Sequence, residues 1–387
     1  MESIRKQEDP YQLFEDYLKN SDTRRKYRNF LFRFLRSIPQ EILRHLSNLD
    51  KGSQISDKKL VEIFVDLARN DPIVAKNVIA AYIKEKNKLA EEGKINPNYV
   101  PNLIKPIHTL LDANGIPFHW KSLYKLFPRG KKTSDRAYTK EEIQKMLDVS
   151  TNITDKVIIL LFSSAGFRLE SWNYFIWDDV RFFKNSDDSF RGGAIRIYRE
   201  DPEEYWSCFT PEAAKILQLY REYWKSKTGD YPTNEDPLLR SDRSPVTKRL
   251  NAFGVKRRLE KIVKRIGLRH NHHNGSNRYE VALDHGFRKY FNTMLRRAKV
   301  DYLDKEDMMG HKVGLEKHYE RYNEEDFERF PEYQKAIPFL TISDKEMLLL
   351  KNQQLTEERS ELEKRIPQTV RVLLDLNFNP KNSRILL

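Results

Sequence analysis

Ser164-Ala165-Gly166-Phe167-Arg168-Leu169-Glu170-Ser171 and Leu283-Asp284-His285-Gly286-Phe287-Arg288 decide how this chain is read. The second stretch runs on to Gly310-His311, then Tyr319 and Tyr322. An arginine, then His-x-x-Arg, then Gly-His, then a tyrosine is a set suited to a DNA phosphate. Arg168 and Arg288 offer forked donors that match phosphate oxygens. His285 and His311 can donate hydrogen bonds or carry protons. A tyrosine hydroxyl can act as a covalent nucleophile. Each piece is common by itself; order, spacing and chemical type together give it weight.

The rest of the composition fits a polyanionic partner. The chain has 387 residues, with Lys+Arg 70 against Asp+Glu 57, a formal net charge of +13 and a pI near 9.4. That length allows two or three domains, and that charge favours nucleic acid. The single cysteine, Cys208, excludes an internal disulfide and a cysteine zinc cluster and fits a reducing cytosol. The N-terminus shows no signal-peptide core. The longest apolar run, Val157 to Phe162, falls far short of the ~20 residues of a membrane span.

Residues 8 to about 127 read as helices. Tyr27, Phe30, Leu31, Phe34 and Leu35 recur at helical spacing, with Arg24, Arg25, Arg28 and Arg36 largely on other faces. Leu60, Ile63, Phe64 and Leu67 make a second stripe, and a third helix is expected over Ile73 to Ala90. Tyr99 to Leu111 and Trp120 to Phe127 suggest two more. Pro128 to Arg136, with Lys131 and Lys132, has the composition of a basic linker. Thr139-Lys140-Glu141-Glu142 fits a capping box, and Thr154 to Ser164 an apolar helix. Between 177 and 210 the pattern changes: Ala194 to Tyr198 alternates like a strand, Tyr205 to Phe209 could pair with it, and Pro211 opens a helix to Trp224. Val246 to Leu268 is a basic amphipathic stretch carrying Lys256, Arg257 and Lys261. In the charged C-terminal region, Leu348, Leu355 and Leu362 stand seven apart.

Cleaving a phosphodiester needs a nucleophile, neutralisation of the equatorial oxygens and a proton for the leaving oxygen. No acidic cluster suited to magnesium stands out. His270-Asn271-His272-His273, followed by Asn274-Gly275-Ser276-Asn277, reads as a solvated loop rather than a metal site. His285 and Arg288 are three apart, near one face of a helix.

These motifs resemble the tyrosine recombinases, or phage-type integrases. The resemblance covers residues 139 to 322 well and the N-terminal helices more loosely. Thr139 to Ile143 looks like the entry helix of their catalytic domain, Ser164 to Arg168 like the first arginine motif, Leu283 to Thr293 like the His-x-x-Arg helix, and Met308 to His311 like the Gly-His turn. Two features depart from the pattern. Tyr319 lies eight residues after His311 and Tyr322 eleven, where about nine is usual, which makes Tyr319 the expected nucleophile and Tyr322 the alternative. The turn expected to carry a lysine reads Tyr198-Arg199-Glu200-Asp201, so that role falls to Arg199 or, upstream, Lys184. Ser171 also stands where an acidic residue is often found, with Glu170 before it.

The resemblance implies a mainly α fold: a helical core-binding domain over 1–127, a linker over 128–138, a catalytic domain with a small antiparallel sheet over 139–325, and a helical extension over 326–387. The two domains would clamp duplex DNA, with Arg24, Arg25, Arg28, Lys131, Lys132, Lys256, Arg257 and Lys261 on phosphates. It implies strand exchange through a 3′-phosphotyrosyl intermediate by a homotetramer on two sites, through a four-way junction. No cofactor, metal, membrane or small-molecule substrate is expected. A resolvase, a transposase, a type IB topoisomerase, or a DNA-binding protein that has lost catalysis are the alternatives. A cytoplasmic, nucleoid-associated protein of an archaeal virus or plasmid is the expected setting.

Overall fold

The computed structural model describes residues 9–47, 55–130, 135–242, 247–268, 279–311 and 329–365. Among them the chain divides into two compact units, one ending at Gly130 and one beginning at Asp135. The fold is mainly α with one small antiparallel sheet, the class expected from the sequence. Lys131, Lys132, the run from His270 to His273, Tyr319 and Tyr322 lie outside the described residues. No described helix is long and apolar enough to cross a membrane.

The first unit is built from α1 (Pro10–Asp16), α2 (Ser21–Ser37), α3 (Gln40–Ser47), α4 (Asp57–Asn70), α5 (Pro72–Glu91), α6 (Val100–Ala113) and α7 (Trp120–Tyr124). Polar caps start several of them: Asp9 accepts from the Tyr11 amide, Asn20 from Asp22 and Thr23, and Asp71 from Val74. The α2 and α4 stripes bury Phe34 edge-on against Phe64, with ring centroids 5.0 Å apart. Arg28 grips Glu15 with two donors at 3.2 and 2.6 Å, and Arg24 donates to the Leu18 carbonyl at 2.6 Å. Two of the three arginines expected on DNA therefore tie the α1 segment to α2. Arg25 stays exposed, paired with Asp22 at 2.8 Å.

The second unit opens with α8 (Lys140–Asp148). The Glu142 amide donates to the Thr139 hydroxyl at 3.2 Å, and the Thr139 amide to the Glu142 carboxylate at 2.9 Å. Next, α9 (Ile153–Ala165) is buried nearly all round. Strands β1 (Val180–Lys184), β2 (Phe190–Ile197) and β3 (Tyr205–Phe209) form a sheet in that order. The first strand has no alternation in its sequence, Val-Arg-Phe-Phe-Lys, and was not expected. Phe183 pairs with Gly192 and Lys184 with Phe190, so Arg191 is bulged out. The second strand ends at Ile197 because Tyr198 has a left-handed φ of 57°.

Around the sheet and α9 pack α10 (Pro211–Thr228), α11 (Ala252–Arg265), α12 (His285–Arg297), α13 (Tyr302–Met308) and α14 (Phe330–Gln334), while α15 (Ile337–Leu340) packs on α12 and α16 (Asp344–Arg365) is tied to α10 by the Lys215–Glu346 ion pair. The basic helix begins at Ala252 rather than Val246. Asn251 accepts from the Gly254 amide at 3.0 Å, while Arg249 just before it bridges extended backbone at Arg240. On α16, Leu348, Leu355 and Leu362 are all exposed.

The last turn of α9 is where this unit is pinned. Its free carbonyls take donors from three other elements: the Tyr333 hydroxyl onto Ser164 at 2.7 Å, the Ser207 hydroxyl onto Ala165 at 2.7 Å, and Arg288 onto Gly166 at 2.8 Å. Gly166 closes the helix in the left-handed region, φ 61°, and a Cβ there would sit 2.1 Å from a Phe291 ring carbon. Gly166→Ala is expected to lower the stability of this unit by about 3 kcal/mol, from the backbone conformation and the overpacking together. Urea-unfolding midpoints check this; a loss under about 1 kcal/mol would contradict the packing described.

Candidate anion site at the end of helix α9

Arg168 follows the Gly166 turn and precedes a short 3-10 turn, Leu169–Asn173. It is half-buried, and among the described residues its guanidinium makes no hydrogen bond and no ion pair. Arg288 comes from the first turn of α12 and is 7% exposed. It donates to the Gly166 carbonyl at 2.8 Å, to the Met309 carbonyl, and to His311 Nε2 at 3.0 Å. Three of its five N–H donors are committed to holding these turns. Burial pulls the Arg288 guanidinium below its ordinary value; the Tyr205 phenol opposes this and the charge of Arg168 adds to it. The charge of Arg168 opposes that of Arg288, while Tyr205 and Tyr198 favour it. The negative end of α9 stabilises the deeper one.

His311 is positioned by the turn after α13, where Gly310 has φ 63°. Arg288 has donors only, so His311 Nε2 accepts from it, and the ring proton sits on Nδ1. That nitrogen donates to Glu306 at 2.5 Å. Both ring nitrogens are therefore engaged. Burial pushes the Glu306 carboxyl up, but hydrogen bonds from Lys305 and His311 outweigh it and hold the group below its ordinary value. A depressed carboxylate adds stability at neutral pH that is lost as the pH falls through the depressed value. His285, the first residue of α12, is exposed on the same side of the helix as Arg288.

The two residues expected to supply the lysine function are each ion-paired. Lys184 Nζ is paired with Asp188 at 2.7 Å in the β1–β2 hairpin. Arg199 is paired with Asp178 at 2.7 Å, with Asp179 and Glu200 further off. On α11, Lys256, Arg257 and Lys261 are exposed, and Arg257 lies over the Phe253 ring at 4.8 Å. Among the described residues no group of three His, Cys, Asp or Glu side chains is placed to hold a metal ion.

Two tyrosines of the site were missed in the sequence. Tyr205 is 5% exposed, and among the described residues its hydroxyl has no hydrogen-bond partner. That hydroxyl lies beside Arg288 without the alignment of a hydrogen bond. Burial pushes the phenol up, against the pull of Arg288 and Arg168. The ring packs on Gly310, where a Cβ would lie 2.4 Å from it. Tyr198 adjoins it, with ring centroids 6.3 Å apart. Glu306 was missed as well. Its place five residues before His311 is the one signal that could have found it.

No protein-family model matches the chain, and no curated protein sequence does. Several solved structures are similar in fold. A XerA recombinase matches over 82% of this chain and 94% of its own, at 16% identity and a TM-score of 0.36. A XerH site-specific recombinase bound to its difH substrate matches over 81% and 96%, at 14% identity and TM-score 0.44. A lambda integrase dimer bound to a COC′ core site matches over 75% and 99%, at 13% identity and TM-score 0.43. Likenesses this distant carry no inference about activity.

The two arginines should respond differently to removal. Arg288→Ala leaves the Gly166 and Met309 carbonyls without their donor and is expected to cost at least about 2 kcal/mol. Arg168→Ala removes an unpaired group beside a like charge and should change stability by no more than about 0.5 kcal/mol. Equal losses in chemical denaturation would refute this division of roles.

Proposed function

We propose that this chain is a site-specific DNA recombinase of the tyrosine type, cutting and rejoining strands through a 3′-phosphotyrosyl intermediate. The observation that carries it is Arg168, which has no ion pair among the described residues, together with Arg288 tied to His311 and His285 exposed on the same helix. A half-buried guanidinium left without such a partner is costly unless an anion uses it, and the motif order points to a backbone phosphate.

In this mechanism Tyr319, or Tyr322, attacks the scissile phosphorus, and His285 takes its proton. Arg168 neutralises one equatorial oxygen with donors that no described residue occupies. Arg288 adds charge from behind while holding both turns in place. His311, locked by Glu306, keeps Arg288 from swinging. The phosphotyrosyl bond conserves the energy of the phosphodiester, so resealing by another strand's 5′-hydroxyl needs no nucleotide. Lys256, Arg257 and Lys261 on α11, with Lys131 and Lys132, would track phosphates. The exposed α16 leucines are the proposed contact in a tetramer on two sites. An archaeal mobile element in the cytoplasm remains the proposed setting. A DNA-binding protein without catalysis is the second reading, favoured by the pairing of Lys184 and Arg199 with carboxylates.

A pool of nicked duplexes with a randomised central segment tests this. The wild type should trap denaturation-resistant protein–DNA adducts, in EDTA as well as without it, and their sequences give the site. Arg168→Ala should lose about 10²–10³-fold in adduct rate. Tyr319→Phe should abolish adducts while Tyr322→Phe keeps them; the reverse would reassign the nucleophile. If the wild type binds DNA yet forms no adduct, the second reading stands instead. In binding assays, replacing Lys256 and Lys261 by alanine should weaken affinity across sequences and reduce the salt slope by about 2 in all. An unchanged slope would take α11 off the phosphates.

A further inference from the structure

We propose that Tyr198 is the proton donor to the leaving 5′-oxygen, in a site whose expected lysine positions are ion-paired with carboxylates. This rests on the recombinase reading above and goes beyond it by naming the acid. Breaking the P–O5′ bond releases an alkoxide, which needs a proton as it leaves. An arginine is a poor donor because it is so hard to deprotonate. His311 has both ring nitrogens occupied by Arg288 and Glu306. Lys184 and Arg199 are held by Asp188 and Asp178.

Tyr198 is placed for the task by its backbone. A φ of 57° is unusual for an aromatic residue, and it ends β2 and turns the side chain out of the sheet. The ring then packs edge-on to Tyr205, at 6.3 Å, and to the exposed Tyr174, at 5.9 Å. Tyr198 is half-buried, and among the described residues it makes no hydrogen bond through its side chain; it interacts electrostatically with Arg288. Tyr205 lies deeper, with its hydroxyl closed off from solvent. Of the two phenols, Tyr198 is the more exposed.

The step balances. As the attacking tyrosine's oxygen bonds to phosphorus, the P–O5′ bond breaks and its electron pair takes the Tyr198 proton. The resulting phenolate is stabilised by Arg288 and Arg168. In the reverse step the incoming 5′-hydroxyl returns its proton to that phenolate. A free phenol, with a pKa near ~10, is a far stronger acid than water.

The test uses the full chain and the site recovered from the trapped adducts, made once with the ordinary bridging oxygen and once with sulfur at the 5′ bridge. A thiolate leaves without a proton. Tyr198→Phe should cut adduct formation about 10²–10³-fold on the oxygen substrate and regain nearly the wild-type rate on sulfur, with DNA affinity unchanged. Arg168→Ala should stay slow on both. A wild-type rate for Tyr198→Phe on oxygen, or an equal defect on both substrates, would overturn the proposal. So would sulfur rescue of His285→Gln in place of Tyr198→Phe. If Tyr198→Phe does not fold, 3,5-difluorotyrosine at 198 must move the alkaline limb of the pH–rate profile downward, and an unmoved limb also overturns it. Failure of the wild type on both substrates is a separate result that removes the recombinase reading itself.

Discussion

The larger unit depends on the unpaired carbonyls at the end of α9. A helix leaves its last carbonyls without internal partners, and a buried end must find donors elsewhere. Here the donors come from α14, β3 and α12, through Tyr333, Ser207 and Arg288. Three segments distant in sequence are thereby tied to one turn. That turn also sets the direction of Arg168, two residues beyond Gly166. The need to satisfy a helix end and the need to aim a guanidinium are met by the same few atoms.

Arg288 shows how one side chain can belong to both fold and site. Its hydrogen bonds to Gly166 and Met309 join the turn after α9 to the turn after α13. Phe287 and Phe291 on the same helix are fully buried. Apolar burial of such rings stabilises each by roughly 1.5–3 kcal/mol, which offsets part of the cost of burying the Arg288 charge.

Much of this was legible in the sequence because it rests on local chemistry. The Thr139 capping box, the apolar run of α9, the Gly166 terminus and the three-residue spacing of His285 and Arg288 are each set by neighbours within one or two turns. What escaped notice depends on contacts made across the fold. β1 shows no alternation because Phe182 and Phe183, on opposite faces of its strand, both meet aromatic rings, Phe190 and Phe330. Arg24 and Arg28 looked like a free basic face, but Glu15 on the preceding segment takes them up. Tyr205 read as an ordinary strand aromatic, since nothing nearby in sequence announces that its hydroxyl ends beside Arg288.

The turn after β2 follows from the same electrostatics. Two unit charges about 6 Å apart repel by roughly 3 kcal/mol at an effective dielectric near ~20. An ammonium placed among Arg168 and Arg288 would be a third cation in a partly buried space, and it would be pressed to give up its proton before any phosphate arrived. Arg199 avoids that conflict by turning to Asp178 and Asp179. A phenol avoids that conflict differently, because it carries no charge until it gives up its proton, and the turn after β2 presents Tyr198 beside the buried Tyr205.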